Sequence, residues 1–334
     1  MNINQRNAHK RDALITFDAG PHKYTCNGIS DYISVTTWNH SHFKPFDADA
    51  IIKKMMRDPI RWKKSPYYGK TPEEIKASWD LNRDEAAAAG TEMHANIERY
   101  YLGEPIVGNP LQPPLLGDDD DTACILPKQF MDFVKDHPDL MTYRTEWMIF
   151  DEDVRIAGSI DMVGLGGNPL QPPLETSVTQ ATPKINPNSP QEGVPEGVPE
   201  GARSLVLYDW KRCKEIKETN SFKEFAITDC IKHLPDTNFW HYSLQLNTYK
   251  AILEAKYDKK VAAMYLVCLH PNLPTYQLLA VPDLSEEVAA LFVLRKKQLL
   301  SVSEATGVSV SEATGVSVKK EKSNKTINDY FQKK

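Results

Sequence analysis

The chain of 334 residues has only five cysteines, at positions 26, 124, 213, 230 and 268, and no two of them are spaced as CxxC. That scatter speaks against a zinc ribbon, an iron-sulfur cluster and a secreted disulfide framework, and it fits a reducing compartment. Long apolar runs are lacking too. No stretch of about 18 uninterrupted apolar residues occurs, and residues 1–20 are polar and charged without an apolar signal core. The expectation is a soluble intracellular protein with no membrane partner. Positive excess is also missing: at a net charge of −5, a polyanion would have to be held by local basic patches or bound metal ions. What is present is an ordinary globular composition, 41% hydrophobic and 25% charged, sufficient for a sizeable core.

Residues 13–37 hold short β-prone pieces broken by Gly-Pro and Asn-Gly, as in a small hairpin. Helical patterning follows from Asp47 to Met56 and again from Thr71, where Thr-Pro-Glu-Glu marks a start and Gly103 a stop. The alanines from Ala86 to Ala89 predict a closely packed stretch. Residues 104–122 read as a loop, and "PKQFMDFVKDHPDL" as a short amphipathic helix. Two β-rich runs then flank the acidic turn Asp151-Glu152-Asp153, and "SLVLYDW" is a third. Between the second and third, residues 166–203 contain "EGVPEGVPEG", too poor in large apolar groups to pack, which predicts a disordered low-complexity insertion. An amphipathic helix "FWHYSLQLNTYKAILEAKY", two more strands and a closing helix complete the pattern. The expected class is α/β, a central mixed β-sheet flanked by helices. The expected divisions are an N-terminal hairpin segment at 1–46, a main domain at 47–300 and a flexible tail at 301–334.

The third run carries the chemistry. Side chains of a strand alternate between faces, so Asp209 and Lys211 point one way and Trp210 the other, toward core packing. Asp161 on the neighbouring run brings a second carboxylate. Two bare carboxylates at close range repel, so the arrangement makes sense when a divalent cation or the Lys211 ammonium compensates. Hard oxygen ligands point to Mg²⁺ or Mn²⁺. Lys211 would then steady the attacking water and the charge that builds on phosphorus oxygens. Alone, D-x-K is a weak signal that a surface ion pair would also produce.

The neighbouring motifs change the odds. Gly90-x-x-x-His94, Gly158-x-x-Asp161, Asp209-x-Lys211 and Gln245-x-x-x-Tyr249 stand in this order. In that order they resemble the RecB-type branch of the PD-(D/E)XK nuclease superfamily, which includes the mitochondrial genome-maintenance exonuclease and large-virus and phage relatives. The resemblance runs from about His22 to residue 300, with its motifs between 90 and 249. It implies a restriction-endonuclease-like core and a Mg²⁺- or Mn²⁺-dependent DNA nuclease. His94, Asp161, Asp209 and the Trp210 carbonyl would be its metal ligands and Lys211 its catalytic lysine, while Gln245 and Tyr249 would contact DNA or order Lys211. His22-x-Tyr24 and Ser34-Val-Thr-Thr resemble the entry segment of the same group. The long insertion at 166–203 departs from the pattern.

Each residue also has a duller reading. His94 and Glu98, at i and i+4, could be a solvated hydrogen-bonded pair, and Glu98 could equally bind a second metal or orient His94. Glu146 either faces the cleft as a further carboxylate or lies on an exposed face. Gln245 and Tyr249 could cap and pack a helix, and Cys213 reads as a free, partly buried thiol. For DNA, the candidate phosphate contacts are Lys44, Lys53, Lys54, Arg57, Arg61, Lys63 and Lys64. They are interleaved with Phe43, Phe46, Trp62, Tyr67 and Tyr68 for base stacking, against the alternative of a solvated helix pair.

In the tail, Asn324, Ile327, Tyr330 and Phe331 are spaced as in the sliding-clamp (PCNA) interaction box, with Asn324 in place of the usual Gln. There an aliphatic and two aromatic side chains would plug one apolar pocket. These expectations add up to an exonuclease on single-stranded or end-containing DNA, tethered to a clamp in a nucleus or viral replication compartment. A flap endonuclease and a catalytically silent DNA-binding module remain the alternatives.

Overall fold

The computed structural model describes residues 1–106, 127–166 and 204–306. Most of the loop expected at 104–122, nearly all of the 166–203 insertion and the clamp-like box of the tail lie outside the described residues.

A mixed sheet of six strands forms the middle layer. β3 (Ile33–Ser34), β4 (Thr142–Asp151), β5 (Ile156–Leu165), β6 (Ser204–Lys211), β7 (Lys260–Cys268) and β8 (Gln277–Ala280) compose it. β5 pairs antiparallel with β4 and β6, β6 runs parallel to β7, and β8 closes the edge antiparallel. The fold is therefore α/β with a mixed sheet flanked by helices.

Alternation along β6 divides its residues between two cores. Leu205 and Leu207 join Leu244, Leu246, Ile252 and Leu253 of α7 (Asn238–Lys256) and Val288 and Leu291 of α8 (Ser285–Thr306). Val206, Tyr208 and Trp210 face the other way, onto Met93 and Ile97 of α5 (Pro72–Leu102) and Phe130 and Phe133 of α6 (Lys128–Asp136). Phe130 and Phe133 are fully buried, a burial that contributes about 1.5–3 kcal/mol each. The N-terminal part is built into the same body. β1 (Ile15–Asp18) and β2 (Lys23–Cys26) make the expected hairpin, β3 joins the sheet beside β5, and Trp38 of α2 (Val35–His40) enters the α7 core.

α5 begins where its sequence signals a start. Thr71 Oγ1 accepts from the Glu74 N–H at 3.2 Å, and Glu74 Oε2 accepts from the Thr71 N–H at 2.7 Å. Gly103, at φ 70°, ends it in the left-handed conformation. Three expectations need correction. Ala86, Ala87 and Ala88 are exposed rather than closely packed, because this part of α5 extends beyond its core contacts at Met93 and Ile97. α7 is not amphipathic in its middle: Ser243 to Tyr249 are all buried, polar members included. α8 runs through Ser301 to Thr306, so the change of composition at Ser301 does not end the helix. Among the described residues no helix is long and apolar enough to cross a membrane.

Candidate metal centre

The site begins as a gap. β4 pairs along the length of β5 on one edge, whereas on the other edge β3 reaches only Ile156 and Ala157, and β6 only Met162 to Leu165. Residues 158–161 therefore face no strand on that side. Asp161 fills part of the break, its Oδ2 accepting the Trp210 N–H at 2.8 Å. The N–H and C=O of one strand residue point the same way, so the Trp210 carbonyl opens on this side too. Tyr249 packs over the face of the strand at Gly158. A Cβ on Gly158 would stand 2.8 Å from Tyr249 Cε1 and 3.0 Å from Val35 Cγ2, so glycine is required there by close approach. A Cβ at Gly90 would meet nothing within 4 Å.

A second irregularity turns the carboxylates together. Ile160 and Val163 both lie in the α7 core and Met162 in the opposite one, which a strictly alternating strand cannot do. The reversal falls at Asp161, and across from it Glu146, in mid-strand, has φ 45°. A non-glycine residue held there costs of order 1–3 kcal/mol and persists only where its surroundings impose it.

From α5, His94 projects to the same point. Its Nδ1 lies 3.5 Å from Asp161 Oδ2 and 3.8 Å from Glu146 Oε1, and Ser159 Oγ donates to Glu146 Oε2 at 2.9 Å. Among the described residues, His94, Glu146 and Asp161 are the trio whose ligand atoms lie within 4.8 Å of one another. Ligand atoms about 2.1 Å from one octahedral cation lie roughly 3.0 Å apart when adjacent and 4.2 Å when opposite, so the spacing fits after small closing movements. One imidazole and two carboxylates suit Mn²⁺ or Mg²⁺. Electrostatics agrees. Burial would lower the His94 pKa, but Asp161 and Glu146 outweigh it and push it up to about 9. Burial raises Asp161 above the usual carboxylate range against the opposing pull of His94 and Lys211.

Asp209 is placed differently from the other carboxylates. It is 1% exposed, ion-paired to Lys211 Nζ at 2.6 Å, and its Oδ1 accepts from Gln245 Nε2 at 3.1 Å. Burial pushes it up to about 6, with Lys211 pulling the other way. Burial alone would lower the Lys211 pKa, yet Asp209 and Asp161 hold it above its ordinary value. Gln245 also donates to Tyr249 Oη at 3.4 Å, so this helix face arms the site as well as packing it. Glu98 stands outside the trio, its pKa raised by burial and then by Glu146.

Two contributors had faint sequence signals. Glu146 reads from sequence either as a cleft-facing carboxylate or as a residue on an exposed face. Tyr242, whose ring lies 4.5 Å from Lys211 Nζ, was legible only as the residue three before Gln245 on a helix.

The basic residues spread over α3 (Ala48–Met56) and α4 (Pro59–Lys63). Lys53, Lys54, Arg57, Arg61 and Lys63 are exposed and Trp62 is half-buried. Of these six, Lys54 and Arg61 line a groove of about 1090 Å³, together with Lys44, Phe46, Phe222 and His241 and with the carboxylates Asp47, Asp58, Glu224 and Asp236. His241 lies one helical turn before Gln245, so the groove approaches the acidic site along α7. Phe43 is corrected: it is buried in the core with its ring 3.9 Å from that of His241, and is not free to stack on a base. No protein-family model matches the chain, and no curated protein matches it.

Proposed function

We propose that the protein is a divalent-metal-dependent DNA nuclease with a PD-(D/E)XK-type core, an exonuclease on single-stranded or end-containing DNA. The observation that carries this reading is the convergence of His94, Glu146 and Asp161 within 4.8 Å, beside the buried Asp209–Lys211 pair. His94, Glu146 and Asp161 would hold the cation, with the Asp209 carboxylate and Trp210 carbonyl available at the same end of the strands. Bound Mg²⁺ or Mn²⁺ would polarise the phosphodiester and make water a nucleophile at neutral pH. Lys211, kept charged by Asp209 and seated over the Tyr242 ring, offsets negative charge building on the phosphorus oxygens. Gln245 fixes Asp209, and Lys44, Lys54 and Arg61 give the groove its phosphate contacts.

The test is digestion of end-labelled single-stranded, duplex, flap and covalently closed circular DNA with Mg²⁺, Mn²⁺ or EDTA, beside Lys211→Ala. Metal-dependent loss of linear strands that spares circles, absent in the variant, supports the exonuclease. Cutting of circles replaces it with an endonuclease, and retention of DNA without cutting replaces it with a silent binding module. The tail box at Asn324, Ile327, Tyr330 and Phe331 extends the proposal to a sliding clamp. Tyr330→Ala with Phe331→Ala should remove calorimetric clamp binding and spare digestion of free oligonucleotides.

A further inference from the structure

β6 and β7 run parallel and end level, with Lys211 paired in register to Cys268. The chain leaving Lys211 reaches Cys213 two residues on, while the Leu269 N–H donates to the Lys211 carbonyl at 2.8 Å. These constraints bring two free thiols together. Cys213 Sγ stands 3.4 Å from Cys268 Sγ, and the Cys268 thiol donates to the Cys213 carbonyl at 3.0 Å. Cys268 is fully buried within the strand, and Cys213 is partly open to solvent. Nothing in the proposed chemistry uses either.

We propose that Cys213 and Cys268 are an oxidation site next to Lys211, which a peroxide-class oxidant converts to a disulfide that moves the lysine. One thiolate attacks a peroxide oxygen, breaking the O–O bond and giving a sulfenic acid and water. The second thiol then attacks that sulfur, the S–S bond forms and a second water leaves. The two thiols lose two protons and two electrons, and hydrogen peroxide takes them up to become two waters.

Bonded sulfurs stand about 2.05 Å apart, so the pair must close by more than an ångström. Cys268 is held by the sheet, which leaves the loop after Lys211 to make that movement. Lys211 depends on its position, through the 2.6 Å pair to Asp209 and the 4.5 Å seat on Tyr242. Misplacement by about 1 Å at a reacting centre costs roughly 10²-fold. Only the consequence for cleavage rests on the nuclease reading.

The experiment treats the full chain with hydrogen peroxide, then alkylates free thiols and maps peptides by mass, with DNA cleavage and Lys211 acylation by an amine reagent measured on the same samples. The expected result is a Cys213–Cys268 cross-linked peptide, a severalfold change in Lys211 acylation and a fall in cleavage of about tenfold or more, all reversed by dithiothreitol. Cys213→Ser and Cys268→Ser should keep both activity and Lys211 reactivity through the same treatment. Absence of that peptide overturns the proposal, as does its formation with Lys211 acylation unchanged. If no form of the protein cleaves DNA, the nuclease reading falls, while the peptide map and Lys211 acylation still decide the thiol site.

Discussion

The β4–β5 hairpin carries acidic groups at two levels, and the two are built on opposite plans. At its turn, Asp151, Glu152 and Asp153 meet three cations. Arg11 pairs with Glu152 at 2.6 Å, Lys256 with Asp153 at 3.1 Å and with Asp151 at 3.5 Å, and Lys296 with Asp153 at 3.3 Å. Burial leaves Asp151 raised, but Arg11 and Lys256 hold Glu152, and Lys256 and Lys296 hold Asp153, below the usual carboxylate range against the opposing effect of burial. At mid-hairpin, Glu146, Asp161 and the adjacent Asp209 have one lysine and one histidine, with Asp161 and Asp209 both displaced upward by burial. The turn is neutralised by its own chain. The middle is left short of positive charge, at the one place in the described strands where a non-glycine residue has a positive φ.

If that contrast separates a supporting cluster from a working one, the largest effects belong to the middle. Asp161→Asn and Lys211→Ala should each lower cleavage by about 10³-fold or more while leaving DNA retention near wild type, because binding uses phosphate contacts along the groove. Glu152→Gln, which breaks the Arg11 pair at the turn, should leave cleavage unchanged and cost less than about 1 kcal/mol of stability. Labelled-strand digestion with filter binding and melting curves gives all three readings. Equal loss of cleavage at Glu152 would erase the distinction.

Metal binding sharpens it one step further down. Glu146→Gln should weaken Mn²⁺ binding by about 10- to 100-fold in calorimetry, with Glu152→Gln indistinguishable from wild type. Affinity should also depend on pH through His94. Its folded pKa of about 9 lies above the ordinary 6.5, so a cation must displace a proton from it across this range. Apparent affinity should then rise by up to about tenfold per pH unit from 6.5 to 9, with proton release seen in buffers of different ionisation enthalpy. The sign for stability is opposite. A raised folded pKa stabilises fully below the unfolded value and is lost above the folded one, so the metal-free protein should lose stability from about pH 4 to 6 through Asp209 and from 6.5 to 9 through His94. His94→Asn should flatten the upper part of that decline.

How much of this was legible in the sequence depended on whether local pattern or tertiary contact decided the outcome. The limits of α5 were written in Thr71, Glu74 and Gly103, because caps are local chemistry. The alternation that sets Asp209 and Lys211 on one face was local too. The burial of Ser243, Asn247 and Thr248 in α7 was not, since the segment reads as amphipathic and these polar residues are covered only by the packing of α2 and α8 on the helix. Asn247 Oδ1 accepts from the Leu284 N–H at 2.8 Å, a partner 37 residues away that no periodicity announces. The role of Glu146 was hidden for a related reason. A strand pattern gives a side chain's face by parity, and here the parity reverses.

That reversal supplies the smallest and most specific comparison. In an ordinary strand, Gly is less stable than Ala by about 0.5–1 kcal/mol, because it loses more backbone freedom on folding. At Glu146, with φ 45°, alanine keeps the left-handed strain and glycine relieves it. Both substitutions remove the carboxylate and its bond from Ser159, so the difference between them isolates the backbone. Glu146→Gly should therefore exceed Glu146→Ala in stability by about 1 kcal/mol in denaturant titrations of the metal-free protein, whereas Glu152→Gly should not exceed Glu152→Ala. The usual order at position 146 would mean that the strand accommodates Glu146 without strain, and the kink would then have to be attributed to Asp161 and the missing ladder beside it.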